Sequence, residues 1–335
     1  MKFVSYLNEG HDKLAILVDG LLFDMEMLHP DLPGNMSLFL NYWEDSVSMA
    51  MGGEMMINDG KILREQGIPI HSVQLLAPVP FPSSCRDGYA FRQHVAAARR
   101  NRRVEMIEEF DQFPVFYFTN HHSIRGPGTI ECMPDHFEQL DFELECAIVV
   151  SKQGRNIRAE NADEYIGGLM IMNDFSARRL QIEEMKLNLG PAKGKDFVTT
   201  TGPWLVTTDE LAPYRMDAKQ GHIGTAWNLT MACRVNGKQV SKGNLGEMDW
   251  TFAEIIERAS YGVDLFPGDI IGSGTVGTGC FLELNGTGKL NDPDYQEQWL
   301  QDGDVIELEI EGLGVLSNTI TREDDDFSIL RKKIL

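Results

Sequence analysis

The chain is short of the features that mark membrane, secreted or nucleic-acid-binding proteins. No apolar run approaches the roughly eighteen residues that a membrane-crossing helix needs, and Met1-Lys-Phe-Val-Ser-Tyr-Leu-Asn-Glu9 lacks the positive-then-apolar layout of a signal peptide. Positive charge is scarce: 30 Lys and Arg stand against 51 Asp and Glu, a formal charge of −21. That argues against nucleic acid and anionic membranes as partners, since both need a positive footprint. The one basic cluster, Arg99-Arg-Asn-Arg-Arg103, reads as a solvated helix face offset by the acidic residues after it. Cysteine is sparse too. Cys85, Cys132, Cys146, Cys233 and Cys280 are odd in number and form no Cys-x-x-Cys spacing, which argues against a disulfide framework or a zinc knuckle and for reduced thiols in the cytoplasm. No repeat or low-complexity tract is visible.

Carboxylates in apolar or turn surroundings are what the chain does have. Glu143 and Glu145 lie two apart in Leu140-Asp-Phe-Glu-Leu-Glu-Cys-Ala-Ile-Val-Val150, a run that reads as a strand. Residues two apart on a strand project to the same face, and like charges held side by side repel unless something positive lies between them. Asp174 ends a second buried-looking run that starts at Ile166, and Asp87 sits in the turn Cys85-Arg-Asp-Gly-Tyr89. An all-oxygen set without a His/Cys group suits Mg²⁺, Ca²⁺ or Mn²⁺ better than Zn²⁺.

At 335 residues the chain can hold one large core and an accessory module. Residues 1–74 read as a small N-terminal α+β module. Its strands, Met1 to Tyr6 and Leu14 to Phe23, form a hairpin turning at Asp19-Gly20, and helices run through Leu38 to Trp43 and Asp59 to Arg64. The proline-rich Leu75-Leu-Ala-Pro-Val-Pro-Phe-Pro82 is an extended linker, and residues 75–335 form the catalytic part. There the pattern predicts a helix over Phe91 to Phe110, others at Ala162 to Ile166, Ser176 to Leu187 and Phe252 to Ala259, and strands that include Trp204 to Val206, Ala226 to Val235, Cys280 to Leu284 and Val305 to Ile310. The class is α+β and β-rich. Gly272-Ser-Gly-Thr-Val-Gly277 satisfies a dinucleotide-binding pattern, but the strand expected after it offers no helix N-terminus for a pyrophosphate.

Six blocks occur in one order: Asp87-x-Tyr89-x4-His94, Glu143-x-Glu145, Asn173-Asp-Phe-Ser-Ala-Arg-Arg-Leu-Gln181, Gly194-Lys-Asp-Phe197, Gly274-Thr275 and Leu282-Glu-Leu284. In these the chain resembles the fumarylacetoacetate hydrolase family, in its fumarylacetoacetase-like branch. The resemblance implies a mixed β-roll and a homodimer. It implies a divalent cation, Mg²⁺ or Ca²⁺ with Mn²⁺ an alternative, on Asp87, Glu143, Glu145 and Asp174. His94 would activate water, oriented by Glu283, while Arg178, Gln181 and Lys195 stabilise the oxyanion. Tyr89, Arg103, Tyr117 and Thr275 match substrate-contacting positions. The implied reaction is hydrolysis of a carbon–carbon bond in a 1,3-diketo acid, most directly fumarylacetoacetate to fumarate and acetoacetate in tyrosine and aromatic breakdown.

One departure favours the His94–Glu283 arrangement over acylpyruvate or oxaloacetate chemistry, and a second keeps other substrates open. A related acylpyruvase-like branch keeps a Glu three residues after the His, where this chain has Ala97. The fumarylacetoacetate-cleaving members resemble Gln-x-x-x-Tyr after the oxyanion Gln, whereas here Ile182-Glu-Glu-Met-Lys186 follows. Hydrolysis of another acylpyruvate-type diketo acid, or a 2-keto-3-deoxy sugar acid lyase or dehydratase on the same scaffold, are the alternatives. The latter needs no water-activating His–Glu pair.

Overall fold

The runs Leu144–Val150 and Ile166–Asn173 are buried at every position, as strands covered on both faces must be. They pair antiparallel at the centre of a 12-stranded sheet. The computed structural model describes residues 1–331. In chain order its main strands are β1 (Lys2–Asn8), β2 (His11–Val18), β3 (Leu21–Asp24), β4 (Cys85–Gly88), β5 (Phe116–Thr119), β6 (Gly128–Cys132), β7 (Leu144–Val150), β8 (Ile166–Asn173), β9 (Thr199–Thr207), β10 (Thr230–Val235), β11 (Lys238–Asn244), β12 (Ile270–Gly272), β13 (Val305–Ile310) and β14 (Gly314–Arg322). The longer helices are α1 (Trp43–Asn58), α2 (Arg92–Asn101), α3 (Arg178–Met185), α4 (Phe252–Ser260) and α5 (Phe281–Asn291).

The large sheet runs β3-β2-β1-β9-β8-β7-β12-β4-β5, and a 5-stranded sheet runs β11-β10-β13-β14-β6. Strand β7 alternates between two cores. Leu144, Cys146, Ile148 and Val150 face Met231, Leu308 and Ile320 of the smaller sheet together with Phe252, Ile255 and Ile256 of α4. Ala147 and Val149 face the opposite side, where Phe39, Leu40 and Ala50 of the N-terminal helices pack. The fold is strand-rich α+β, with helices, large sheet and small sheet in layers.

Backbone pairing joins the first 74 residues to the rest: β1 lies against β9, Lys2 opposite Val206 and Phe3 opposite Leu205. These residues form a three-strand meander rather than one hairpin. Asp19-Gly20 turns between β2 and β3 and Glu9-Gly10 between β1 and β2, with φ positive at all four residues, as the tight turns of paired strands require. Asp59 to Leu63 is not helical; α1 ends at Asn58, Gly60 takes a φ of 70°, and only a single 3-10 turn starts at Arg64. The helix expected over Phe91 to Phe110 stops at Asn101, and Ile166 opens β8 instead of closing a helix.

The segment Cys280 to Leu284 is corrected from strand to helix. Its alternation suggested a strand, but α5 starts at Phe281 because the Asp141 carboxylate accepts the N–H groups of Phe281 at 2.7 Å and Leu282 at 3.0 Å. A capping partner 140 residues away supplies what local propensity does not. The reason for discounting Gly272–Gly277 as a pyrophosphate loop changes with it. A helix does follow, and its leading N–H groups are already taken by Asp141.

Candidate active site

Adjacent strands of the large sheet bring the carboxylates together. Asp87, expected in a turn, lies within β4 opposite Gly272 of β12, Glu145 lies in β7, Glu143 directly precedes β7, and Asp174 directly follows β8. Oxygens of Asp87, Glu143 and Glu145 lie within 4.8 Å of one another. A Cβ on Gly272 would sit 2.5 Å from Asp87 Oδ1, so the missing side chain makes room for that carboxylate. Asp174 joins through Lys195, whose Nζ lies 2.5 Å from Glu143 Oε2 and 2.7 Å from Asp174 Oδ2.

Lys195 reaches this position because Gly194 lets its loop run against α3. A Cβ on Gly194 would lie 2.6 Å from Gln181 Cβ. Arg178, on the first turn of α3, is buried and fully engaged. Its Nε donates to Asp141 Oδ2 at 2.8 Å, one terminal nitrogen to Glu143 Oε1 at 2.8 Å, and the other to Gln181 Oε1 at 3.1 Å. The Gln181 amide nitrogen has no protein partner among the described residues.

Electrostatics separate the carboxylates into two kinds. Burial would raise Glu143, but the Lys195 and Arg178 charges outweigh it and hold this carboxyl at about 2. Asp87 is pushed up to about 8 by burial and by the Asp174 charge. Glu145 goes well up, by burial and then by Asp87, and Asp174 goes up by burial against the opposing pull of Lys195. Glu145 Oε2 is buried with no hydrogen-bond donor among the described residues, leaving it a proton or a cation to share with Asp87. Four inward carboxylates thus face one ammonium and one guanidinium that Asp141 also claims. An oxygen-only donor set with an orphaned carboxylate oxygen fits a hard divalent cation.

Beside this cluster, His94 on α2 is buried and its Nδ1 lies 2.7 Å from Glu283 Oε2. Glu283 is on the first turn of α5, and its other oxygen accepts the Thr278 N–H at 3.0 Å. With Nδ1–H donated to a carboxylate, Nε2 is the basic nitrogen. The Tyr89 ring meets His94 edge-on, centroids 6.1 Å apart. Ala97, one turn further along α2, is buried. Thr275 Oγ1 donates to Glu145 Oε1 at 3.2 Å and Tyr117 Oη to Asp174 Oδ2. Arg103 alone of the named residues is not brought in. It lies past the end of α2 with φ 58°, exposed, its side chain in no hydrogen bond or ion pair among the described residues.

Sequence reasoning missed Asp141, which is fully buried and ties Arg178 to the start of α5. The signal was present, since Asp141, Glu143 and Glu145 continue one alternation. It also missed Thr199, which donates to Asp174 Oδ1 at 3.1 Å, and Asn173, which accepts the Glu143 N–H at 2.9 Å.

Comparison with known proteins places the chain in a family. Residues 84–321 match the family model described as fumarylacetoacetate (FAA) hydrolase C-terminal. A mitochondrial oxaloacetate tautomerase of Rattus norvegicus is 30% identical over 94% of this chain and 88% of its own. A fumarylacetoacetase of Oryza sativa subsp. japonica is 33% identical over 76% of this chain and 70% of its own. Among solved structures, a fumarylacetoacetate hydrolase from Exiguobacterium antarcticum superposes with a TM-score of 0.64 at 25% identity, covering 96% of this chain and all of that one. No helix among the described residues is long and apolar enough to cross a membrane. The family model and the relatives agree, and the chain belongs to the fumarylacetoacetate hydrolase family of enzymes.

Proposed function

We propose that this enzyme hydrolyses a carbon–carbon bond in a small 1,3-diketo acid, with fumarylacetoacetate, cleaved to fumarate and acetoacetate, as the substrate to test first. The observation that carries this reading is the buried His94–Glu283 pair, 2.7 Å apart beside the oxygen cluster. A divalent cation on Asp87, Glu143, Glu145 and Asp174 would supply Lewis-acid polarisation of the substrate oxygens. His94 Nε2 takes a proton from water, and Glu283 stabilises the imidazolium that forms. The water oxygen adds to the neighbouring carbonyl carbon, where the Gln181 amide and the Arg178 and Lys195 cations favour the developing alkoxide. Collapse breaks the carbon–carbon bond, and the imidazolium returns its proton to the carbon that leaves. Tyr89, Tyr117 and Thr275 line the reacting region. Ala97 supports the His94–Glu283 arrangement, because no carboxylate stands one turn after His94 on its own helix. The proposal includes a homodimer in a reducing compartment, for which the free cysteines and the family resemblance are the support.

A second reading has its own observation. The rat oxaloacetate tautomerase aligns over 94% of this chain, and the Tyr expected after Gln181 is replaced. Under that reading His94 moves a carbon-bound proton of oxaloacetate and no water is added. The deciding experiment follows the ultraviolet absorbance of fumarylacetoacetate and, separately, the enol-to-keto conversion of oxaloacetate, each with Mg²⁺, Ca²⁺, Mn²⁺ or chelator. Cation-dependent cleavage that His94→Ala abolishes while cation binding persists supports hydrolysis. Tautomerisation without cleavage moves the assignment to the second reading.

A further inference from the structure

A second donor set, of different chemical character, adjoins the oxygen cluster. A ring nitrogen of His94, the Cys280 Sγ and a carboxylate oxygen of Glu143 lie within 4.8 Å of one another, and all three residues are buried. The proposed reaction gives Cys280 no part. Its sulfur accepts the Glu283 N–H at 3.4 Å, and among the described residues its thiol donates to no acceptor.

We infer that His94, Cys280 and Glu143 form a site for a borderline or soft divalent ion, Zn²⁺ above all, that is distinct from the oxygen site and excludes it. Imidazole, thiolate and carboxylate are the zinc ligand types, whereas hard cations take oxygen alone. Ligand atoms around one tetrahedral zinc are about 3.5 Å apart, so small side-chain rotations close the set. With Nε2 as the ligand, Glu283 on Nδ1 provides the carboxylate brace that metal-bound imidazoles characteristically carry. Binding forms Zn–N, Zn–S and Zn–O bonds. The Cys280 thiol loses its proton to buffer, and no electron is transferred. Glu143 belongs to both sites, so zinc and the hard cation compete for it, and zinc removes His94 from proton transfer. The site therefore inhibits.

The inhibitory consequence rests on the proposed role of His94; the binding itself does not. Co²⁺ is the spectroscopic probe, because a cobalt–thiolate bond gives a near-ultraviolet charge-transfer band that oxygen ligation does not. The wild-type enzyme should show this band at one equivalent and lose it on addition of Zn²⁺. Cys280→Ser and Cys280→Ala should lack it. Loss of an outer-shell partner already costs about 10–100-fold in metal affinity, so the Zn²⁺ concentration that halves the Mg²⁺-supported rate should rise at least about tenfold in either variant, each referred to its own uninhibited rate. Absence of the band in wild type overturns the site even where a variant fails to fold. Persistence of the band in both variants, or equal zinc sensitivity of all three proteins, also overturns it. Should no diketo acid be turned over, the cobalt band alone still decides whether the site exists.

Discussion

Replacing Lys195 by Met removes the positive charge that lies between Glu143 and Asp174, and the cost can be worked out. Glu143 is held at about 2, against an ordinary value of 4.5, with Lys195 the largest lowering influence. Removing one partner of a buried ion pair costs roughly 3–5 kcal/mol. In wild type this stability is present above pH 4.5 and is lost as pH falls toward 2. In the variant, burial is opposed only by Arg178 and His94, so Glu143 rises and the charged folded state is penalised as pH rises through its new value. The gap between the two proteins must therefore widen from pH 5 to pH 8. Urea unfolding followed by tryptophan fluorescence, with chelator present, measures it. A difference of about 3 kcal/mol at pH 8 that shrinks at pH 5 is expected, and Mg²⁺ should stabilise the variant more than wild type. Equal midpoints at pH 8, or a gap independent of pH, would refute the assignment of Lys195 as the internal counter-charge.

Three further outcomes follow from named contacts. Glu283→Gln should lower kcat by about 10–100-fold, the worth of a hydrogen bond to a charged partner, and should flatten the acid limb of the pH–rate profile; an unchanged profile separates Glu283 from His94. Asp141→Asn leaves Arg178 and the first turn of α5 each short of a charged partner, so destabilisation by about 2–3 kcal/mol is expected in thermal unfolding, together with weakened turnover; loss of activity without loss of stability would contradict the bridging role. His136 is held down to about 4 by burial and then by Lys193, and its Nδ1 accepts the Met133 N–H at 3.2 Å. Its unfolded form binds a proton below about 6.5, so it costs stability as pH falls from there toward 4, about 2 kcal/mol between pH 7.5 and 5. His136→Asn, which keeps an acceptor, should remove that part of the acid dependence, and parallel pH–stability curves would dismiss it.

Much of the fold and site was legible because it is encoded locally. The runs at Leu144 and Ile166 are apolar on both faces and could hardly be anything but central strands, and the carboxylates stand out against them. Arg178 and Gln181 share a helix face because they are three residues apart. What could not be read depends on partners far along the chain. The stretch Leu282-Glu-Leu284 alternates like a strand, and α5 also contains Gly286 and Gly288, both poor helix formers; only Asp141 reveals why a helix begins there. Arg103 was one of several neighbouring arginines, and where α2 would end was not visible in their spacing. The role of the first 74 residues was equally hidden, since an antiparallel neighbour such as β9 leaves no mark on the sequence of β1.

The acid–base pair and the cap of α5 connect positions 189 and 140 residues apart. Such a site has no partial form: until both sheets and α5 are in place, the carboxylates are dispersed and bind a cation no better than any acidic coil. An ion that recognises only the finished arrangement acts as a folding ligand. At about a hundred times its dissociation constant it adds roughly 2.7 kcal/mol to the native state. Divalent-ion supply would then govern how many copies of this enzyme exist folded, and so how long each survives proteolysis, besides how fast each one works.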